Sequence, residues 1–299
     1  MSVDLADTDA ERDLLAQVAR LRSRFQGALF GLAVGEALSA PAIYGRPGAF
    51  PPVRDLLGGG PLDLPRGAWA AHMSLALGAA RSLLETGGSD PADQRERWRR
   101  WQREGEGSAT GECLGISASV ARALVDGTPD PSLADAADAP ARVAPFAMRY
   151  LDDREALRSA VRSSATVTCH EPRTLAATCV FADMVQLALR GAAPMTVLAA
   201  GDELRGAVWD GSSRPSAVLG AVVEGFADGA GFKETVLRAV NLGGPADAVG
   251  ALSGQLAGAH YGVESIPAAW VAAIAHRSTI ADLADALLAE ALVGLVDPA

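Results

Sequence analysis

The sequence predicts one all-α domain, and three observations carry that prediction. Apolar residues recur at helical spacing in segment after segment, and no stretch shows the period-two alternation of a half-buried strand. Hydrophobic residues make up 49% of the 299, many of them Ala and Leu, whereas aromatics make up 5%. Small aliphatic contacts suit helix–helix packing, and a β-sandwich or a base-stacking platform needs more rings. No composition break reads as an interdomain linker, and no repeat period is evident, so residues 1–299 form a single domain.

The elements follow in order. Thr8 and Glu11 form a capping box ahead of Leu14, Val18, Leu21 and Phe25 on one stripe, which makes residues 1–23 an N-terminal helical extension. GALFGLAVGEALSA, residues 27–40, is a second helical pattern whose small residues allow another backbone to come close. Residues 43–67 carry Gly or Pro every few positions and read as a long loop. Helices are predicted over 72–86, 91–105, 115–125, 154–166, 171–189 and 195–204. The last third adds 214–227, 232–240, 246–260, 266–275 and 279–293, with turns at 87–88, 127–131, 210–213 and 229–231. In DQRERWRRWQRE the arginines form a solvated helix face, with Trp98 and Trp101 turned inward.

Charge and cysteine usage exclude several classes. A formal charge of -10 leaves no basic surplus for a nucleic-acid backbone. The three cysteines, Cys113, Cys169 and Cys179, are far apart and lack CxxC spacing, against a disulfide framework or a thiolate zinc site. The acidic start has no signal-peptide core, and no apolar run approaches the ~18 residues of a membrane span. The expectation is a soluble, reduced, cytoplasmic protein without nucleic-acid or membrane partners.

One stretch departs from ordinary helix chemistry. In PRGAWAAHMSLALGAARSLLE a helix begins at Ala70, Ala71, His72 and Met73, where a polar cap is expected. Its neighbourhood, GAWAAHMSLAL, is placed like the G-x-W-T-D-D-T-x-M-A-L segment of the ADP-ribosylglycohydrolase family. Two further segments resemble the same family, which includes dinitrogenase-reductase-activating glycohydrolases and the J1 crystallins. FQGALFGLAVGEALSAPAIY is similar to its opening helix and GDALGAP-type turn. AVNLGGPADAVGALSGQLAGAHYG looks like its N-L-G-G-D-A-D-T-x-G-x-x-x-G-x-L-A-G-A-x-Y-G. Weaker echoes are GEGSATGECLGI, ARVAPFAMRY and TCHEP, so the resemblance spans roughly residues 24–292.

The resemblance implies an orthogonal helical bundle and a metal-assisted hydrolysis that frees ADP-ribose from a modified group, often arginine. It also implies two Mg²⁺ or Mn²⁺ ions held by oxygen ligands of the two aspartate-bearing turns. This chain departs from the pattern at those ligands. The first turn's Thr, Asp, Asp and Thr fall on Ala70, Ala71, His72 and Met73, and the second turn's Asp, Ala, Asp and Thr fall on Pro245, Ala246, Asp247 and Ala248. The Glu after the GDALGAP-type turn falls on Ile43, and the Asn-Gly of N-G-x-x-M-R falls on Ala137 and Asp138, with Arg142 retained. Methyls and a thioether do not ligate Mg²⁺, so the metal pair is expected to be lost and no cofactor is expected.

Several residues remain as candidates. His72 and Asp247, on turns that face one another in the family, form either a His–Asp acid–base dyad or a space-filling ring beside a helix-capping carboxylate. A zinc site adding Cys169 or His170 has no supporting spacing. Glu36 stands for the family's Asp in G-D-A and suits backbone stabilisation. Asn241, Gly243 and Gly244 make a tight loop whose amides suit a phosphate or ribose hydroxyl, or merely a turn. Adjacent helical residues point apart, so Cys169 and His170 form no catalytic pair but border the implied ligand cleft. Three functions follow: a pseudoenzyme binding a nucleotide-like ligand or a protein partner, a metal-independent hydrolase or lyase acting through His72 and Asp247, and a scaffold.

Overall fold

The computed structural model describes residues 5–131, 133 and 137–296. Among them every regular element is a helix or 3-10 turn, and the one strand-like pairing is a bridge between Gly59 and Leu64 in the long loop. The first four helices are α1 (Leu5–Ser39), α2 (Ala71–Thr86), α3 (Pro91–Glu104) and α4 (Ala118–Asp126). Then come α5 (Asp138–Ala141), α6 (Ala144–Arg149), α7 (Arg154–Ala165), α8 (Pro172–Leu189) and α9 (Pro194–Ala200). The last five are α10 (Pro215–Asp228), α11 (Phe232–Val240), α12 (Ala246–Tyr261), α13 (Ala268–Ala273) and α14 (Arg277–Val296). No described helix is long and apolar enough to cross a membrane.

The architecture is organised by α1 and α12. Gly27, Gly31 and Gly35 on α1 face Gly258, Gly254 and Gly250 on α12, so the two helices run antiparallel. At each of the six positions a Cβ would land on the opposing backbone, so only glycine permits this approach. The small-residue pattern seen in the sequence is this seam. Around it pack Phe25, Leu29, Leu32 and Leu38 of α1, Val249, Leu252 and Leu256 of α12, and Phe181 and Phe232 from neighbouring helices. Trp98 and Trp101 of α3 are buried, and the Trp98 indole donates to the Leu75 carbonyl at 3.0 Å.

Several sequence expectations change. α1 is one continuous helix: nothing near Gln26 ends it, because Gly27 serves the seam and not a turn. Thr8 therefore lies inside α1, and its side chain is outside the described residues. α4 starts at Ala118, since Gly115 has a φ of +72° and the Ser117 side chain caps the helix by accepting from Val120 N–H. The segment 195–204 divides into α9 and a 3-10 turn at Asp202–Leu204. α5 and α6 are additional, and their four and six residues are too short to show a period.

Candidate functional site

The glycine seam places the site. Glu36 follows Gly35 on α1, and Asp247 lies three residues before Gly250 on α12, so the helix contact that joins Gly35 to Gly250 brings these carboxylates to one region. α2 begins beside them. Its cap residue, Ala70, has no side-chain acceptor, and Glu36 supplies the missing one from another helix. Glu36 Oε1 accepts the His72 N–H at 2.9 Å, and Oε2 accepts the Met73 N–H at 3.0 Å. The His72 ring closes on the same carboxylate, with Nδ1 2.9 Å from Oε1. The apolar start of α2 is thus capped from outside its own sequence.

Asp138 joins them from α5, held by a 2.7 Å hydrogen bond from Ser117 Oγ. Gln255 of α12 fixes this segment by accepting from Ala144 N–H at 2.7 Å and donating to the Ala141 carbonyl at 3.2 Å. Glu36, His72, Asp138 and Asp247 are 0%, 5%, 4% and 7% exposed, so their charges interact with little screening. Burial alone would lower the His72 pKa. The hydrogen bond to Glu36 and the charges of Glu36, Asp247 and Asp138 outweigh it and raise the pKa to about 9. Burial raises the Asp247 pKa against the opposing pull of His72, and Glu36 and Asp138 add to the rise. Tyr44 is raised by burial and by Asp247 and Asp138, which places the rim of the group at the turn after α1.

The expected His72–Asp247 dyad is corrected. The residue that orients the imidazole is Glu36, and Asp247 acts on it through charge. Asp247 is the second residue of α12, after Pro245 at the cap position, and its carboxylate accepts from the Ala248 amide in the helix's first turn, in keeping with the capping alternative. A ring whose pKa is about 9 already carries its proton at neutral pH, so it is an acid there and not a base.

The 241–244 loop is corrected as well. The Asn241 side chain accepts from Val53 N–H at 2.8 Å and donates to the Val53 and Leu237 carbonyls, tying the long loop to α11. The Leu242 and Gly244 amides donate to the Ala239 and Gly45 carbonyls, and Tyr44 N–H donates to Gly244 O at 2.7 Å. Gly243 and Gly244 have φ of +69° and +60° and lie where a Cβ would meet Gly45 and Gly211. These residues build a turn-to-turn clasp and do not offer an anion cradle.

Cys169 and His170 point apart, as adjacent residues should. The buried Cys169 packs with Ala139, Ala165 and Leu175, its Sγ 4.0 Å from the Glu171 carbonyl. The exposed His170 borders a cavity of about 800 Å³, shared with Ser119, Thr168, Arg173 and Arg214. Two hydrogen-bond chains join this wall to the buried group. Ser119 Oγ lies 3.1 Å from Ser117 Oγ, which holds Asp138. Thr168 Oγ1 accepts from Arg142 at 2.8 Å, and Arg142, buried against Trp98, also reaches the Asp138 carbonyl at 3.4 Å. A shallower hollow of about 750 Å³ over α11, bordered by Lys233, Leu237, Arg238 and Tyr261, touches none of the four buried groups. The cavity beside His170 is therefore the candidate ligand site.

The family model for ADP-ribosylglycohydrolase matches residues 17–294. The chain belongs to the ADP-ribosylglycohydrolase family. It is 32% identical to the ADP-ribosylarginine hydrolase Tri1 of Pseudomonas putida (strain GB-1) over 300 residues, covering 88% of this chain and 77% of that protein. It is 30% identical to the ADP-ribosyl-[dinitrogen reductase] glycohydrolase of Rhodospirillum rubrum, covering 92% and 98%. A solved structure titled "ADP-ribosylglycohydrolase-related protein complex" superimposes with a TM-score of 0.79 at 37% identity, covering 91% of this chain and 99% of that one.

The ions that ADP-ribosylglycohydrolases are implied to use do not fit the residues present here. Ala70, Ala71, Met73, Pro245 and Ala248 offer no side-chain oxygen where the resemblance puts ligands, and Asp247 alone keeps one. Both oxygens of Glu36 already accept from α2, and the His72 nitrogen nearest them is bound to the same carboxylate. Among the described residues no three His, Cys, Asp or Glu side chains are grouped to hold a metal ion. Sequence reasoning missed Asp138 because the alignment registered only a lost Asn-Gly. A carboxylate standing in that segment was the signal.

Proposed function

We propose that this member of the ADP-ribosylglycohydrolase family has left the dinuclear-metal reaction and binds a nucleotide-like ligand in the cavity beside His170. The observation that carries this reading is the Glu36–His72 pair. It occupies the first metal turn with an ion pair and spends on α2 the oxygens an ion would need. The cavity's volume of about 800 Å³ is within the range that takes a small organic ligand. Arg173, Arg214 and His170 border it and suit a phosphate-bearing ligand, since guanidinium groups bind phosphate by charge-assisted, often bidentate hydrogen bonds.

The test is calorimetric titration of ADP-ribose with EDTA and, separately, with millimolar Mg²⁺, alongside a turnover assay on ADP-ribosyl-arginine. Equal affinity in both conditions and no turnover is the expected result. Affinity that requires Mg²⁺, or metal-dependent turnover, would overturn the reading. Absence of binding in both would redirect it to a protein partner or a scaffold. A second reading, metal-independent hydrolysis, draws on the protonated His72 lying near Asp247. Turnover that persists in EDTA and is lost in Asp247→Asn would favour it.

A further inference from the structure

We infer that the projecting start of α1 is a self-association surface, on which two copies of this chain pair antiparallel along Leu14, Val18 and Leu21. The family model begins at residue 17, so the first turns of α1 lie ahead of the matched region. Glu36 sits further along the same helix, roughly 30 Å from Leu14 at about 1.5 Å per residue, so the pairing stands apart from the buried group.

α1 is one helix from Leu5 to Ser39, yet its two ends have different surroundings. From Phe25 onward it is sheathed by other helices, and Phe25, Ala28, Leu29 and Leu32 are fully buried. From residue 10 to residue 20 every residue but the half-buried Val18 is exposed, Leu14 at 60% and Leu15 at 62%. A helix segment standing in water gains little from its own hydrogen bonds and is stabilised chiefly by packing an apolar face. Such a face is present. Leu14, Val18, Leu21 and Phe25 follow the alternating four-and-three spacing of a heptad seam, and Leu15 flanks it. Phe25 already lies in the core, so the stripe is the core-facing side of α1 carried past the edge of the body. Among the described residues nothing covers Leu14 or Leu15.

Charge selects the occupant and its direction. Residues 7–13 hold Asp7, Asp9, Glu11 and Asp13 against one base, Arg12, while residues 19–25 hold Arg20, Arg22 and Arg24 and no acid. A second copy laid antiparallel, with its Val18 level with Leu14, brings its residues 19–25 alongside residues 7–13. The two-fold axis makes the reverse contact as well, so acid meets base at both ends of the seam. A parallel copy would set acid on acid and base on base, an arrangement that like charges disfavour. Within one copy Arg22 Nε donates to Asp285 at 2.8 Å, whereas Arg24 lies over Gly191, and neither Arg20 nor Arg24 meets a carboxylate among the described residues. The stripe is therefore complementary to itself in sign as well as in apolar spacing. About three turns of helix cover much less than the ~800 Å² per partner of a standard interface, so the dimer is weak, with a dissociation constant on the order of tens of micromolar.

The test is sedimentation velocity of the full chain from about 5 to about 500 µM, a range that brackets the expected constant. A concentration-dependent dimer is expected, and added salt should weaken it because its charges are exposed. Leu14→Glu should weaken association at least about tenfold, since it sets a carboxylate in the seam. The double variant Glu11→Arg/Asp13→Arg should do the same, because antiparallel copies would then place arginine against arginine. Mixing it with Arg20→Glu/Arg24→Glu, which also fails to pair with itself, should restore a dimer of one copy of each. Leu14, Glu11 and Asp13 are exposed, so melting temperatures of the first two variants should match the wild type. A wild-type chain that stays monomeric across the range would overturn the inference. So would a dimer that Leu14→Glu leaves intact. A dimer that survives Glu11→Arg/Asp13→Arg would refute the antiparallel arrangement, since parallel copies gain no repulsion from that change.

Discussion

Glu36 Oε1 lies 2.9 Å from both the backbone nitrogen and the ring Nδ1 of His72, so one carboxylate on α1 caps α2 and binds its second residue. The two residues are 36 apart in sequence and buried, which makes the contact a tertiary substitute for a local cap. Removing either partner leaves the other's polar groups stranded away from water.

Glu36→Ala should therefore be among the most damaging single changes in the chain. Loss of one member of a buried ion pair typically costs about 3–5 kcal/mol, and two amides of α2 lose their acceptor as well. Urea denaturation of the variant and of the double variant with His72→Ala checks this. The second change should cost much less in the Glu36→Ala background than in the wild type, the mark of coupled residues.

The stability should fall on the alkaline side. The folded pKa of His72, about 9, exceeds the ordinary 6.5. Its contribution is therefore fully present below pH 6.5 and is lost as pH rises through about 9. The span corresponds to something on the order of 3 kcal/mol. Denaturation midpoints measured across this window should decline in the wild type and decline much less in His72→Gln.

The glycine seam offers two opposed outcomes from one chemical change. Gly31→Ala on α1 or Gly254→Ala on α12 would drive a methyl into the facing carbonyl and should destabilise by about 1–3 kcal/mol or more. Gly225→Ala inside α10 meets nothing within 4 Å and should instead stabilise by about 0.5–1 kcal/mol, because alanine is the better helix former. Thermal unfolding of the three variants reads both signs.

Changes at the cavity rim should separate binding from folding. His170→Ala removes an exposed side chain outside the buried group, so the melting temperature should stay put. ADP-ribose affinity should weaken about tenfold, near 1.4 kcal/mol. Calorimetry on this variant, with wild type alongside, checks both parts.

The sequence made much of this legible, and its gaps have physical causes. Periodic segments such as 232–240 matched their helix, and the small residues of 27–40 foretold the close backbone contact that Gly27, Gly31 and Gly35 make. Loss of ligand oxygens at 70–73 and 245–248 was readable from side-chain chemistry alone. What filled the turn was not, since the Glu36–His72 bond depends on how α1 passes the start of α2, a tertiary fact with no local signature. Asn241 and Gly244 looked available for a ligand because sequence shows donors but not their partners. Here the partners are Val53, Leu237 and Gly45. Asp138 stayed hidden because α5 is one turn long and carries no period.

The measurement that bears most directly on the central claim is calorimetric titration of Mn²⁺, and then Mg²⁺, into the chelator-treated protein at neutral pH. An imidazolium at the metal turn and a Glu36 committed to α2 predict no saturable heat up to millimolar ion. One or two sites of micromolar affinity would contradict the account and show that the family's ions still find oxygens here.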